Sequence, residues 1–390
     1  MKKYIDLQEY YDELLMIRRW LHRHPELSME ERHTSEYIAC YLEKCGLTVQ
    51  RTGDVGVIAT LFSDRGQVSD MADEKCRTIA IRAEIDALPI QEATGLIFSS
   101  ENPGVMHACG HDCITAVALC LAKILSTQRK SLKHNVRFIF EPAEETGQGA
   151  KYMMEHGALE NPQVDEILIF HFANQEPRGM EIQKSITTAG VCGITFRIKG
   201  KSTHWFEPEN GRDAMYGAAK LIEEIHDINA GFPAEYPFVL GFGLMKAGAA
   251  GNIMAEEAMI NGSLRTFTKK DADAVLEELK KRMKRIEQET DLRITMDMGR
   301  SIPAFHNHAQ LVKRGAEVGR DLMGERFMLG EKPFLVGDNA AFYAEKIPGM
   351  RTVFLAGKPG EKCCPVHNPG FDIDETVMMD ALRFFYRMVI

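Results

Sequence analysis

The chain has no apolar run long enough to cross a bilayer, and its opening residues, MKKYIDLQEYYDELL, contain neither an apolar h-region nor a small-residue cleavage site. A membrane span and a secretory leader are therefore not expected, and the reading is a cytoplasmic protein. Nor is there an excess of Lys and Arg: the formal net charge is -9 at pH 7. That argues against a nucleic-acid or anionic-membrane surface, since both call for clustered cations. The basic run from Lys280 to Arg285 falls inside a helical period and reads as a solvated face. No C-x-x-C pair occurs, and the 9 cysteines are odd in number and irregularly spaced. Reduced thiols are expected rather than a disulfide framework. Cys363-Cys364 is vicinal and close to His367. No internal repeat or low-complexity segment is visible.

What is present is a globular composition, 45% hydrophobic and 26% charged. At 390 residues the chain exceeds one ordinary core and should split into roughly two domains. Leu7, Tyr11, Leu14, Leu15, Arg18 and Leu21 mark an amphipathic opening helix ended by His24-Pro25. Strand-like runs follow at 55–61 and 78–83, with the polar interval from Ser63 to Lys75 reading as a loop. Then come a helix at 112–125, a strand at 136–140, a helix near 150–155 and a strand at 166–170. The alternation favours an α/β domain with a mostly parallel, helix-covered sheet, in which sites form beyond the strand ends.

From Thr187 the texture changes. Strands at 191–199, 238–244, 255–266 and 292–297 alternate with helices at 213–228 and 271–289 in the order βαββαβ, that of a ferredoxin-like split unit. Val275, Leu279, Met283 and Ile286 give the second helix one apolar face. The expectation is an inserted α+β domain at 187–299, interrupting a catalytic domain at 1–186 and 300–390. A helix at 311–322 and a strand at 352–356 would belong to the resumed first domain.

The chemistry concentrates in Met106-His107-Ala108-Cys109-Gly110-His111-Asp112, which sets a thiol and an imidazole two residues apart before an apolar helix. Alternation in an extended segment would turn Cys109 and His111 the same way, and the helix N-terminus favours a nearby thiolate. A buried Cys beside a helix-capping His explains the pair equally when it is taken alone. Phe138-Ile139-Phe140-Glu141-Pro142-Ala143-Glu144-Glu145 ends an apolar run in two carboxylates. Pointing in different directions, one can bind metal while the other takes a proton from water, whose pKa a metal lowers from ~15.7 toward 7. An exposed acidic pair is the bland alternative. His171, after Ile167-Leu168-Ile169-Phe170, reads alone as a core histidine, and His367, in Pro365-Val366-His367-Asn368-Pro369, as a loop residue. Together they complete a donor set for one or two divalent ions. His22, His24 and His33 lie around a helix end and read as structural.

The chain resembles the peptidase M20 family, within it the amidohydrolase branch of aminoacylases, hippurate hydrolases and auxin-conjugate hydrolases. The matching text is His22-Arg23-His24-Pro25-Glu26-Leu27-Ser28, Ile81-Arg82-Ala83-Glu84-Ile85-Asp86-Ala87-Leu88-Pro89, the segment from Met106 to Asp112, Pro142-Ala143-Glu144-Glu145, His171, Gly200-Lys201-Ser202-Thr203-His204, Gly262-Ser263-Leu264-Arg265-Thr266 and His367-Asn368-Pro369. It covers nearly the whole chain, in order. The resemblance implies two divalent ions per subunit, zinc or manganese, with Cys109 bridging and His111, Glu145, His171 and His367 completing the site. It implies Glu144 as general base and Asp86 as a further acidic, catalytic position.

The inserted domain is similar to the family's lid and dimerisation domain, which implies a homodimer. His204 matches the histidine that crosses to the partner's site and polarises the scissile carbonyl, and Asn252 and Arg265 match substrate-holding positions. Arg suits a carboxylate because its guanidinium forks onto two oxygens. Without the family these three read as a strand-edge loop His, a turn Asn and a solvated Arg. Departures from the pattern are Trp205 and Phe206 where small residues are usual, Asp338-Asn339-Ala340 for the usual Glu-Asp-Phe, and Glu141 for the usual Gln before Pro142. The expected activity is metal-dependent hydrolysis of N-acyl, foremost N-acetyl, amino acids. The alternatives are a dipeptidase or aminopeptidase using the same site, or a catalytically silent binding protein.

Overall fold

The computed structural model describes residues 6–64 and 76–390. Most of the interval expected as a loop from Ser63 to Lys75 lies outside the described residues. In chain order the elements are α1 (Tyr11–Arg23), α2 (Arg32–Lys44), β1 (Thr48–Thr52), β2 (Gly56–Leu61), β3 (Thr78–Glu84), α3 (His111–Ser126), β4 (Asn135–Glu141), α4 (Gly149–Glu155), β5 (Glu166–Ala173), β6 (Gly179–Gln183), β7 (Ile186–Thr188) and β8 (Gly190–Lys199). They continue with α5 (Ala214–Gly231), β9 (Val239–Ala247), β10 (Glu257–Thr266), α6 (Lys269–Thr290), β11 (Arg293–Ile302), β12 (Phe305–His306), α7 (Ala309–Met323), β13 (Phe327–Gly330), α8 (Ala341–Ala344), β14 (Gly349–Leu355) and α9 (Val377–Val389). Among the described residues no helix is long and apolar enough to cross a membrane.

The chain forms two compact units. The first comprises Met1–Thr187, His306–Lys332 and Asn339–Ile390; the second comprises Thr188–Phe305 and Pro333–Asp338. The return to the first unit falls at 306, not at the expected 300, because β11 runs on to Ile302 along β8. Pro333–Asp338 joins the second unit through its carbonyls: Ala189 N donates to Phe334 O at 3.1 Å and to Val336 O at 2.9 Å.

The first unit is built on an 8-stranded sheet ordered β1-β2-β4-β3-β5-β14-β6-β13. Its centre, β4, β3, β5 and β14, is parallel. Antiparallel pairs, β2 with β4 and β14 with β6, flank it, so the sheet is mixed. β2, β3, β4 and β14 are buried along their whole length, which is why they read as mostly apolar rather than alternating, with Arg82, Arg137 and Arg351 buried among the apolar residues. α3 is apolar on every side and almost wholly buried, as a helix enclosed in a core must be. Phe170, Phe172, Phe354, Phe384 and Phe385 pack together in this core, Phe170 and Phe385 with centroids 4.5 Å apart.

The second unit has a 4-stranded sheet in the order β11-β8-β10-β9, antiparallel throughout. With α5 and α6 this is the βαββαβ arrangement. Its separate core joins Phe196, Leu221, Ile225, Val275, Leu279 and Ile286. Asp213 caps α5 by accepting from Met215 N, and Thr268 caps α6 by accepting from Asp271 N.

Under α3 lies a buried polar cluster. Arg18 Nε donates to Asp112 Oδ2 at 3.1 Å, and His22 Nδ1 lies 2.8 Å from the same oxygen. His22 Nε2 is 3.3 Å from Glu92 Oε1. Burial alone would lower the His22 pKa, but the hydrogen bonds to Asp112 and Glu92 outweigh it and raise it to about 9. A charged His22 therefore stabilises the fold fully below pH 6.5 and loses that contribution as pH rises through 9. Urea unfolding of the wild type and His22→Gln should show a stability gap on the order of 3 kcal/mol or less at pH 6 that closes by pH 10. A gap that widens with pH would contradict this account.

Candidate metal centre

The site grows from the carboxyl ends of the parallel strands of the first unit. β3 ends at Glu84 and is followed by Asp86; β4 ends at Glu141 and is followed by the turn carrying Glu144 and Glu145. His171 was expected just past a strand ending at Phe170. It lies instead within β5, which continues to Ala173 because His171 pairs with Val353 of β14. His367 comes from the loop between β14 and α9.

Cys109 and His111 are brought together differently from the extended alternation anticipated. Gly110 is the N-cap of α3 at φ 84, and His111 is the first helical residue. Only glycine adopts that left-handed conformation without cost, so the glycine sets the angle between the two ligands. His367, itself at φ 64, is fixed by its N–H donating to Ala108 O at 2.7 Å.

Three donor groups result, with all ligand atoms in each lying within 4.8 Å of one another: Cys109, His111 and His171; Cys109, Glu145 and His367; and His111, Glu144 and Glu145. Cys109 belongs to the first two. Its Sγ is 3.4 Å from His171 Nε2, and His367 Nε2 is 3.3 Å from Glu145 Oε2. The pocket is closed at one end and open at the other: the His111 side chain is 1% exposed and that of His367 50%.

The imidazoles are oriented from behind. His111 Nδ1 lies 2.9 Å from Asp86 O and 3.2 Å from its Oδ1, so it carries the proton and directs Nε2 into the site. His171 Nδ1 does the same on Phe172 O at 2.7 Å. Asp86 accepts from Ser28 Oγ at 2.7 Å and Glu145 N at 3.0 Å. Burial opposes its ionisation, but hydrogen bonds from His111, Ser28 and Glu145 hold its pKa below the usual carboxylate range. Asp86, expected among the catalytic groups, stands behind His111, within reach of its Nδ1.

The donor set fits a divalent cation. His111 Nε2 and Glu145 Oε1 are buried with no protein hydrogen-bond partner among the described residues, which is costly unless something else occupies them. Burial also pushes the Cys109 thiol up, so a thiolate there needs a neighbouring positive charge. Thiolate, imidazole and carboxylate together suit a borderline metal.

His204, Asn252 and Arg265 belong to the second unit and are not among these donors. His204 bridges Ile253, next to Asn252. Arg265 Nη1 donates to Leu335 O at 2.8 Å. Trp205 and Phe206 are 49% and 82% exposed. Reading the sequence missed Ser28 and Glu31, which touch Asp86 and the Ala143 turn from 58 and 112 residues away. Ser28 stood inside the matched text, which was a signal; Glu31 had none. Also missed was a fully buried Arg82, whose Nη2 donates to Glu141 Oε1 at 2.7 Å and Asn339 Oδ1 at 2.6 Å.

A family model described as peptidase family M20/M25/M40 matches residues 80–390. The chain is 31% identical to N-acetyl-L-cysteine deacetylase of Bacillus subtilis over 386 residues, 98% of this chain and 88% of that protein. It is 30% identical to N-acetyldiaminopimelate deacetylase of Lactococcus lactis subsp. cremoris, covering 95% and 96% of the two chains. Among solved structures it is similar to the YXEP protein of Bacillus subtilis, described as a dinuclear metal-binding peptidase of the M20 family. That likeness has a TM-score of 0.83 and 30% identity, with 98% of each chain covered.

Asp86→Asn removes the charge behind His111 while keeping the shape. It should weaken divalent-ion affinity about 10- to 100-fold, read by competition with a chelator. Unchanged affinity would mean that the contact does not tune the site.

Proposed function

The chain belongs to peptidase family M20/M25/M40, and from that premise we propose that this metal-dependent amidohydrolase cleaves the amide bond of N-acyl, foremost N-acetyl, amino acids. The products are a carboxylate and a free amino acid. The observation that carries the reading is the sharing of Cys109 between two donor groups, with Glu144 beside the first. The names of the two deacetylase relatives support the substrate class.

Cys109, His111 and His171 would hold one divalent ion, and Cys109, Glu145 and His367 a second, zinc or manganese in each case. When bound, the ions supply Lewis acidity, which lowers the pKa of water from ~15.7 toward 7. Glu144 takes a proton from the attacking water at a carboxylate oxygen as the water adds to the acyl carbon. It then gives that proton to the amide nitrogen as the C–N bond breaks, so the amine leaves neutral. His204 is proposed to stabilise charge on the acyl oxygen, and Asn252 and Arg265 to hold the amino acid's carboxylate. We place the reaction in the cytoplasm, a reading supported by 9 cysteines none of which is paired in a disulfide.

We also propose a homodimer formed through the second unit acting as a lid and dimerisation domain. Its edge strand β9 exposes Val239, Leu244 and Met245, and α5 exposes Met215, Tyr216 and Ile222. An exposed apolar sheet edge invites pairing with another copy.

A panel of N-acyl amino acids of varied acyl length and side chain, run beside dipeptides with metal analysis of the same sample, tests the activity. Release from the acylated substrates is expected; preference for dipeptides would favour a peptidase, and two bound ions without turnover a binding protein. Glu144→Gln should keep its metal and lose about 100- to 10,000-fold in kcat. Full activity in that variant would sink the assignment of the base.

The dimer is checked by light scattering: Leu244→Asp with Met245→Asp should convert dimer to monomer. A monomeric wild type would remove the dimer reading.

A further inference from the structure

We propose that Glu31 is a positioning residue for the turn that presents Glu144 and Glu145, holding Ala143 in a left-handed conformation. The proposal rests on the reading of those two carboxylates as base and ligand.

Glu31 stands at the N-cap of α2, where an acidic side chain ordinarily caps its own helix, yet it makes no capping hydrogen bond there. It is 0% exposed. Its Oε1 accepts from Ala143 N at 2.8 Å, across 112 residues of sequence. Its Oε2 has no hydrogen-bond partner among the described residues. Burying a carboxyl group is unfavourable, α2 gains no cap from it, and its one long-range hydrogen bond goes to the turn. The beneficiary is the turn.

Ala143 sits at φ 53. A residue with a Cβ stays in that region only when its surroundings over-determine it. From one side the turn is closed by Gln148 N and Gly149 N, both donating to Ala143 O at 3.1 Å. Gly149 is required there because a Cβ would lie 1.9 Å from Pro142 O. Glu31 holds the other side by accepting from Ala143 N, which no carbonyl of the turn takes up. The same short segment supplies Ser28 to Asp86, so residues 28–31 brace both the carboxylate turn and the aspartate behind His111. Without the Glu31 acceptor, Ala143 relaxes to negative φ, and both following carboxylates swing off the donor group that they share with His111.

The test is a pair of exchanges. Glu31→Ala should weaken binding of zinc alone about tenfold or more, by chelator competition, and lower kcat more than it raises KM. Glu31→Gln, which keeps an acceptor oxygen, should stay within about threefold of wild type. Ala143→Gly alone should be near wild type, since glycine needs no support at positive φ. Added to Glu31→Ala, it should restore most of the zinc affinity and kcat. A double variant no better than Glu31→Ala, or a Glu31→Ala protein that binds zinc like wild type, overturns the proposal. If Glu31→Ala does not fold, Glu31→Met fills the volume without accepting and replaces it in both exchanges. Failure of Ala143→Gly to rescue either one is decisive. Zinc binding needs no substrate, so a wild type that binds zinc and cleaves no acyl amino acid refutes the proposed function while the exchanges still decide the role of Glu31.

Discussion

The sulfur of Cys109 has to lie within ligand reach of two other pairs of donors at once, and the first unit is arranged around meeting that demand. One pair is His111 and His171, the other Glu145 and His367. A buried thiol resists ionisation, and bare imidazole and carboxylate atoms facing one another where water is largely excluded are unfavourable in the absence of cations. The cluster therefore stores a cost that divalent ions relieve on binding. It persists in the fold because the backbone on every side is pinned. Gly110 sets the angle between Cys109 and His111, the Ala108 carbonyl holds the backbone of His367, and β14 holds the strand that carries His171.

That pinning explains why a mixed sheet with a parallel centre hosts the site. Parallel strands end together, so β3, β4 and β5 deliver Asp86, the Glu144-Glu145 turn and His171 to one edge. Burial of these strands on both faces keeps that edge rigid. The same rigidity makes Asp86 effective. Fixed by Ser28 and by Glu145 N, it selects the tautomer of His111 and leaves Nε2 facing the other donors. The local order of the site is thus a property of strand ends and turns rather than of flexible side chains reaching inward.

Cys109, His111, Glu144 and Glu145 stood out in the sequence because they flank apolar runs, whereas His171 and His367 gained meaning only in company, and the strands were legible because burial on both faces leaves mostly apolar runs. The second unit was legible because its helices carry one clean apolar face, as in Val275, Leu279, Met283 and Ile286. What escaped depends on contacts with no local signature. Glu31 reads as one more acid before a polar helix, and only the fold brings it to Ala143. α2 itself was overlooked, since its polar composition hides the buried face of Ile38, Ala39 and Leu42. β5 and β11 ran longer than expected because pairing with a neighbour, not residue preference, decides where a strand stops. The boundary at 305 and the return of Pro333–Asp338 to the second unit follow from the same kind of long-range pairing.

Two departures from the family pattern acquire a different meaning in three dimensions. Glu141 replaces the usual Gln, and Asn339 the usual Asp, 198 residues later in the chain. Read along the sequence they look like two independent changes bearing on substrate preference. In the fold both accept from the same nitrogen of the buried Arg82, at 2.7 and 2.6 Å. A carboxylate has become a carboxamide at one position and a carboxamide a carboxylate at the other, so the charge around Arg82 is conserved. Buried guanidinium groups tolerate exchange of their partners far better than loss of one, since an unpaired buried charge is the expensive outcome. Glu141 and Asn339 thus share one buried guanidinium, and Glu141 closes the strand that leads into the Glu144-Glu145 turn.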